Sequence, residues 1–125
     1  MQQSVEQFLN DYAAALLSYD AEKITAFYQV PMAVYSDQGV LLVSEMHQVT
    51  SFWKQAVEPY RESGITDAKP QVISQDNLTE HITIAKVRWV NTDGNGAPAG
   101  EETNVYILSD SEDGMKISGL VITGQ

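Results

Sequence analysis

Cysteine is absent from the 125-residue sequence. That one absence removes disulfides, thiolate nucleophiles, zinc–thiolate sites and iron–sulfur clusters, and leaves the redox compartment open. Basic residues are scarce: Lys and Arg number 7 against 17 Asp and Glu, a formal net charge of -10. A nucleic-acid backbone or an anionic membrane surface would be repelled over most of such a molecule. No apolar run approaches the roughly 18 residues of a membrane span, and the opening residues 1–7 have neither a positive n-region nor an apolar h-region. The expectation is a soluble cytoplasmic protein with no nucleic-acid or membrane partner and no cofactor.

What is present suits one domain over residues 1–125. Hydrophobic residues make up 43% of the chain, and at this length roughly two thirds of the extended-chain surface can be buried without a metal or disulfide staple. No repeat, linker or low-complexity run divides it. Ser4 followed by Gln7 has the spacing of a capping box, and behind it Val5, Phe8, Leu9, Tyr12, Leu16 and Tyr19 recur on one helical stripe. A first helix over residues 5–18 is predicted. Asp20 caps a second, short helix carrying Ile24, Phe27 and Tyr28, which should end near Pro31 because a residue before proline is pushed toward extended backbone. Residues 32–36 and 40–43 are β-prone and flank Asp37-Gln38-Gly39, the composition of a hairpin turn. Ser44 is the expected cap of a third helix, in which Met46, Val49, Trp53, Ala56, Val57 and Tyr60 share a face with Phe52 at its flank. Gly64 should stop it, and Pro59 should kink or break it.

Beyond Gly64 the pattern becomes β. Residues 71–75, 81–90, 103–108 and 115–122 read as four strands separated by Asp76-Asn77, Asp93-Gly94-Asn95-Gly96 and Asp113-Gly114. Four strands joined by turns make an antiparallel meander, and helices gathered before a sheet indicate an α+β domain. Pairing Ser109 with Met115 in the last hairpin predicts a core face of Val105, Ile107, Met115, Ile117 and Val121. Tyr106, Lys116, Ser118 and Leu120 then face outward. On the preceding strand Ala85, Val87 and Trp89 alternate with Lys86 and Arg88.

This order of elements carries a resemblance. The phrase from Tyr19 through Asp20, Ala21, Glu22 and Lys23 to Phe27-Tyr28, together with Val87-Arg88-Trp89 and the following Asp93-Gly94, resembles the nuclear transport factor 2-like superfamily. Its members include ketosteroid isomerase and SnoaL-like polyketide cyclases, and the likeness runs from Val5 to about Thr123. It implies a cystatin-like cone: three N-terminal helices with a β-hairpin packed on a curved antiparallel sheet. The cavity would be open at one end, and the convex sheet face would form a homodimer.

Carried over residue by residue, the resemblance places Tyr12 where ketosteroid isomerases hold their oxyanion-hole tyrosine. Ser36 stands where they hold the general-base aspartate, with Asp37 one residue later and on the other face of its strand. No equivalent of the protonated aspartate that pairs with that tyrosine is found. The Arg-x-Asp strand motif of limonene epoxide hydrolases is also missing, since Arg88 is followed by Trp89 and Val90. A donor without a base does not support proton abstraction. The candidate cavity residues are Tyr12, Tyr28, Ser36, Trp53 and Trp89; for Tyr12 on its apolar stripe, and for Trp53 and Trp89, core packing is the commoner role of such residues. The expected function is a non-catalytic, homodimeric domain that binds a small apolar molecule. The alternative is a SnoaL-like or isomerase-like enzyme acting on a small apolar carbonyl or ring compound, with Tyr12 polarising an oxygen. His47 and His81 lack partners for base or metal work, and no metal is expected. Asp93-Gly94-Asn95-Gly96 is a hairpin loop rather than a calcium loop, because Ala97 and Pro98 replace needed ligands. Asp110, Glu112 and Asp113 are a solvated turn, and Asn77-Leu78-Thr79 is a chance glycosylation match.

Overall fold

Ser4 starts the first helix by accepting the Gln7 N–H on its Oγ at 3.0 Å. It thereby satisfies one of the donors that a helix N-terminus leaves unpaired. Helix α1 (Val5–Leu17) buries Val5, Phe8, Leu9, Tyr12, Ala13 and Leu16, and α2 (Ala21–Thr25) is capped by Asp20 Oδ1, which takes the Glu22 and Lys23 N–H groups. The remaining elements are β1 (Tyr28–Ser36), β2 (Gly39–Val43), α3 (Met46–Glu62), β3 (Ile65–Asn77), β4 (Ile82–Asp93), β5 (Pro98–Ser111) and β6 (Gly114–Ile122). This computed structural model describes residues 4–112 and 114–123. Residues 1–3 of the opening stretch 1–7, and Asp113, read as part of a solvated turn, lie outside the described residues.

Three local expectations are corrected. Helix α2 stops at Thr25, so Phe27 and Tyr28 are not helical; Tyr28 opens β1 and Pro31 lies inside that strand. Proline is tolerated there because β1 leaves its register with β6 between Tyr28 and Ala33, and pairs with β2 only from Met32 onward, so no ladder bond needs the missing N–H. Helix α3 is capped at Glu45 instead of Ser44: Gln48 Oε1 reaches back to accept both the Ser44 and Glu45 N–H groups at 3.0 Å. The helix also runs through Pro59 to Glu62. Pro59 sits in the last turn, where one lost bond does not end the helix.

All six strands form one sheet in the order β2-β1-β6-β5-β4-β3. The meander β3 to β6 is antiparallel, and the β1–β2 hairpin extends it through a parallel β1–β6 pairing. Near its turn the last hairpin pairs one residue away from the expected register, with Asp110 facing Met115, Ser109 facing Lys116 and Leu108 facing Ile117; beyond a register shift it is two residues away, with Tyr106 facing Leu120. A one-residue slip turns a strand over. Tyr106 (3% exposed) and Leu108 therefore point to the core beside Ala85, Val87 and Trp89, and Val105, Ile107 and Val121 point outward. Between the pairs Leu108–Ile117 and Ile107–Gly119 the register shifts, with Ser118 the extra residue on β6, so Ile117 faces the core while Gly119, two residues on, faces outward against Ile107. The helices close over the inner face, and the core lies between them and β4, β5 and β6.

Candidate functional site

Aromatic residues fill the interior behind α3. Tyr12 on α1 meets Tyr28, Trp89, Tyr106 and Phe27 at ring-centroid separations of 5.5 to 6.4 Å. Its hydroxyl shares a buried hydrogen bond of 2.5 Å with the Tyr28 hydroxyl, and the Trp53 ring lies 6.5 Å, centroid to centroid, from that of Tyr28. Deeper on the sheet, the Trp89 indole N–H donates to the Tyr106 hydroxyl at 2.9 Å. Among the described residues no buried side-chain polar atom is left without a partner. Burial, then the neighbouring Tyr28, holds the Tyr12 phenol well above its ordinary range, and burial does the same for Tyr28. The Tyr60 and Tyr106 phenols are pushed up to about 12 by burial. These groups stay neutral hydrogen-bonding partners at any ordinary pH.

In front of this cluster lies an open groove of about 580 Å³ between the β1–β2 hairpin, the first turns of α3 and the end of β6. Its walls are apolar: Val34, Leu41, Val43, Val49, Phe52, Trp53, Leu120 and Ile122, with Ser36, Gln38 and Gln48 supplying polar points. Tyr28 forms the floor and connects the groove to the buried Tyr12. The volume falls within the range of small-molecule sites.

The five candidates from the sequence divide here. Tyr28, Ser36 and Trp53 line the groove. Tyr12 and Trp89, each 2% exposed, lie behind it in the packed cluster. Ser36 points inward as expected, but no carboxylate, histidine, lysine or arginine lines the groove among the described residues. His47 and His81 are exposed, and no group of three or more His, Asp or Glu suited to a metal occurs among the described residues.

The sequence reading missed Glu102, Asn104 and Tyr106, which share the inner face of β5 beside Trp89. Glu102 is exposed, yet partial desolvation of its carboxyl raises its pKa, and its charge acts on Tyr12, Tyr60 and Tyr106. The signal was available: Ala85, Val87 and Trp89 fix the parity of β4, and the residues opposite them on β5 must share their face.

Over residues 2–125 the chain matches the family described as NTF2-like protein (DUF6841). No curated protein matches it. Among solved structures, it resembles a domain of unknown function with a cystatin-like fold from Nostoc punctiforme, with 14% identity, TM-score 0.74, and 97% of this chain and 75% of that one covered. An NTF-2 like protein of unknown function from Shewanella oneidensis MR-1 gives 15% identity and TM-score 0.71 over 94% and 93%. A ketosteroid isomerase-like protein from Erwinia carotovora atroseptica gives 10% identity and TM-score 0.65 over 95% and 92%. At these identities the structural likenesses establish the cystatin-like fold. With helices closing one face of a curved six-stranded sheet and a family match over nearly its whole length, the chain belongs to the NTF2-like family.

Proposed function

We propose that the protein is a non-catalytic, dimeric domain that holds a small apolar molecule in the groove floored by Tyr28. The observation that carries this reading is the groove's chemistry: an apolar wall with hydroxyl and amide groups at a few points and no acid–base pair among the described residues. Tyr28 can offer a hydrogen bond to a single polar atom of a ligand, and Trp53 and Phe52 offer flat apolar surface. The isomerase-like alternative needs Tyr12 as a free donor, whereas its hydroxyl is buried and engaged by Tyr28.

Native mass spectrometry of the purified protein is the test. A copurified small molecule retained by wild type and lost from Phe52→Lys, a substitution at a side chain 62% exposed, supports the reading; the same mass on both proteins overturns it.

Dimerisation through the outer sheet face is supported by two rows of cross-strand neighbours. Leu42, Ala33, Gly119, Ile107 and Ile84 form one, and Val40, Tyr35, Val121 and Val105 the other, ending at Lys86. They make an apolar band bordered by the Arg88–Glu101 ion pair at 2.6 Å. Tyr106 is not part of it. Light scattering should give twice the monomer mass for wild type and the monomer mass for Tyr35→Glu; a monomeric wild type sinks this part.

A further inference from the structure

The two edges of the sheet are built differently. Strand edges expose unpaired N–H and C=O groups, and proteins blunt them with charge, proline or bulges. The β3 edge carries Asp67, Lys69, Pro70 and Asp76, and its register shifts between Val72 and Ser74. The β2 edge reads Gly-Val-Leu-Leu-Val, with no charge and no proline, and no described residue pairs with its outer side. Val40, Leu41 and Leu42 are 59%, 62% and 74% exposed. Five consecutive uncharged residues leave this edge open to pairing with another strand.

Charge then indicates what fits it. Exposed acids stand two residues beyond each end of β2: Asp37 before Gly39, and Glu45 after Val43. A second copy pairing edge to edge about a two-fold axis at Leu41 would set Asp37 against the other copy's Glu45, and Glu45 against its Asp37. Like charges placed opposite one another across a strand pair are destabilising. An extended segment with cationic ends meets both acids favourably instead.

The geometry points to the β2 edge as a docking site for an extended apolar segment of another protein, flanked by Lys or Arg, which adds a seventh strand antiparallel to β2. Alternate side chains of that segment lie over Leu41 on the groove side and over Val40 and Leu42 on the outer side. The docking does not rest on the groove holding a small molecule.

The test uses the whole chain and a fluorescein-labelled peptide, Lys-Val-Thr-Val-Thr-Val-Lys, titrated by anisotropy at low salt. Saturable binding is expected, at least tenfold tighter than for the same peptide with Glu at both ends, and abolished when alternate peptide amides are N-methylated. Bound peptide should slow hydrogen exchange of the Val40 and Leu42 amides, and Asp37→Lys should weaken binding at least threefold. Absence of saturable binding overturns the proposal, as does equal binding of the N-methylated peptide. So does slow exchange of β2 amides in the peptide-free protein that disappears on dilution to monomer, because a second copy then holds the edge. The small-molecule reading is judged separately, by the mass retained on wild type and lost on Phe52→Lys.

Discussion

A single oxygen separates the two roles that Tyr12 could play. Its phenol is buried, its hydroxyl is bonded to that of Tyr28, and it does not line the groove. Tyr12→Phe therefore removes a partner from a buried hydroxyl without opening a cavity. It should lower stability by about 1–3 kcal/mol, the cost of stranding a buried polar group. Urea melts of wild type and Tyr12→Phe check this. A change below about 0.5 kcal/mol, within the noise of neutral substitutions, accompanied by weaker ligand retention would instead make the hydroxyl a ligand contact. The sequence placed Tyr12 on the right stripe of α1 but could not say whether its oxygen faces ligand or protein. That depends on Tyr28, which a sequence pattern extends into a helix and the structure turns into the first residue of a strand.

At the scale of elements, the bulge in the last hairpin decides which side chains the sheet presents. Gly119 faces outward against Ile107, and a Cβ built there would sit 2.8 Å from Ile107 Cδ1 and 3.2 Å from its Cβ. Gly119→Ala should thus cost about 1–3 kcal/mol through overpacking. Ile107→Val, which deletes the offending Cδ1, should recover part of that loss in the double mutant. Thermal melts of the two single mutants and the double mutant check this, and additive effects would show that Gly119 is required for a reason other than this contact. Much of the element order was legible because it rests on punctuation: Ser4, Asp20, Asp37 to Gly39, and Asp93 to Gly96 each begin or turn an element where expected. The face of β5 came out reversed because the turn places Asp110, one residue later than the expected Ser109, opposite Met115; the parity of Ala85, Val87 and Trp89 on β4 carried the correct face. The candidate groove followed the elements: Ser36 and Trp53 were read on the strand and helix that carry them, Tyr28 was read as helical though it opens β1, and Glu102, Asn104 and Tyr106 lay on the strand that had been turned over.

For the molecule as a whole, the packed tyrosines tie the fold to pH. Tyr60 and Tyr106 ionise at about 12 in the folded protein, and Tyr12 and Tyr28 are also held above the ordinary tyrosine value of 10.0, in each case chiefly because burial penalises the phenolate. Below pH 10 these phenols are protonated in both folded and unfolded chains, so the stability that their neutral packing contributes is fully present. Above 10 the unfolded chain releases protons that the folded one keeps, and stability falls as the pH rises toward 12. The acidic composition acts in the same direction, since net charge more negative than -10 adds self-repulsion. Alkaline titration should therefore show a cooperative rise in tyrosinate absorbance between pH 10 and 12 that coincides with loss of the near-ultraviolet circular dichroism of the aromatic cluster. A gradual absorbance rise that completes near pH 10 with the dichroism intact would mean that these hydroxyls are open to water, and that the cluster behind the groove is a second cavity.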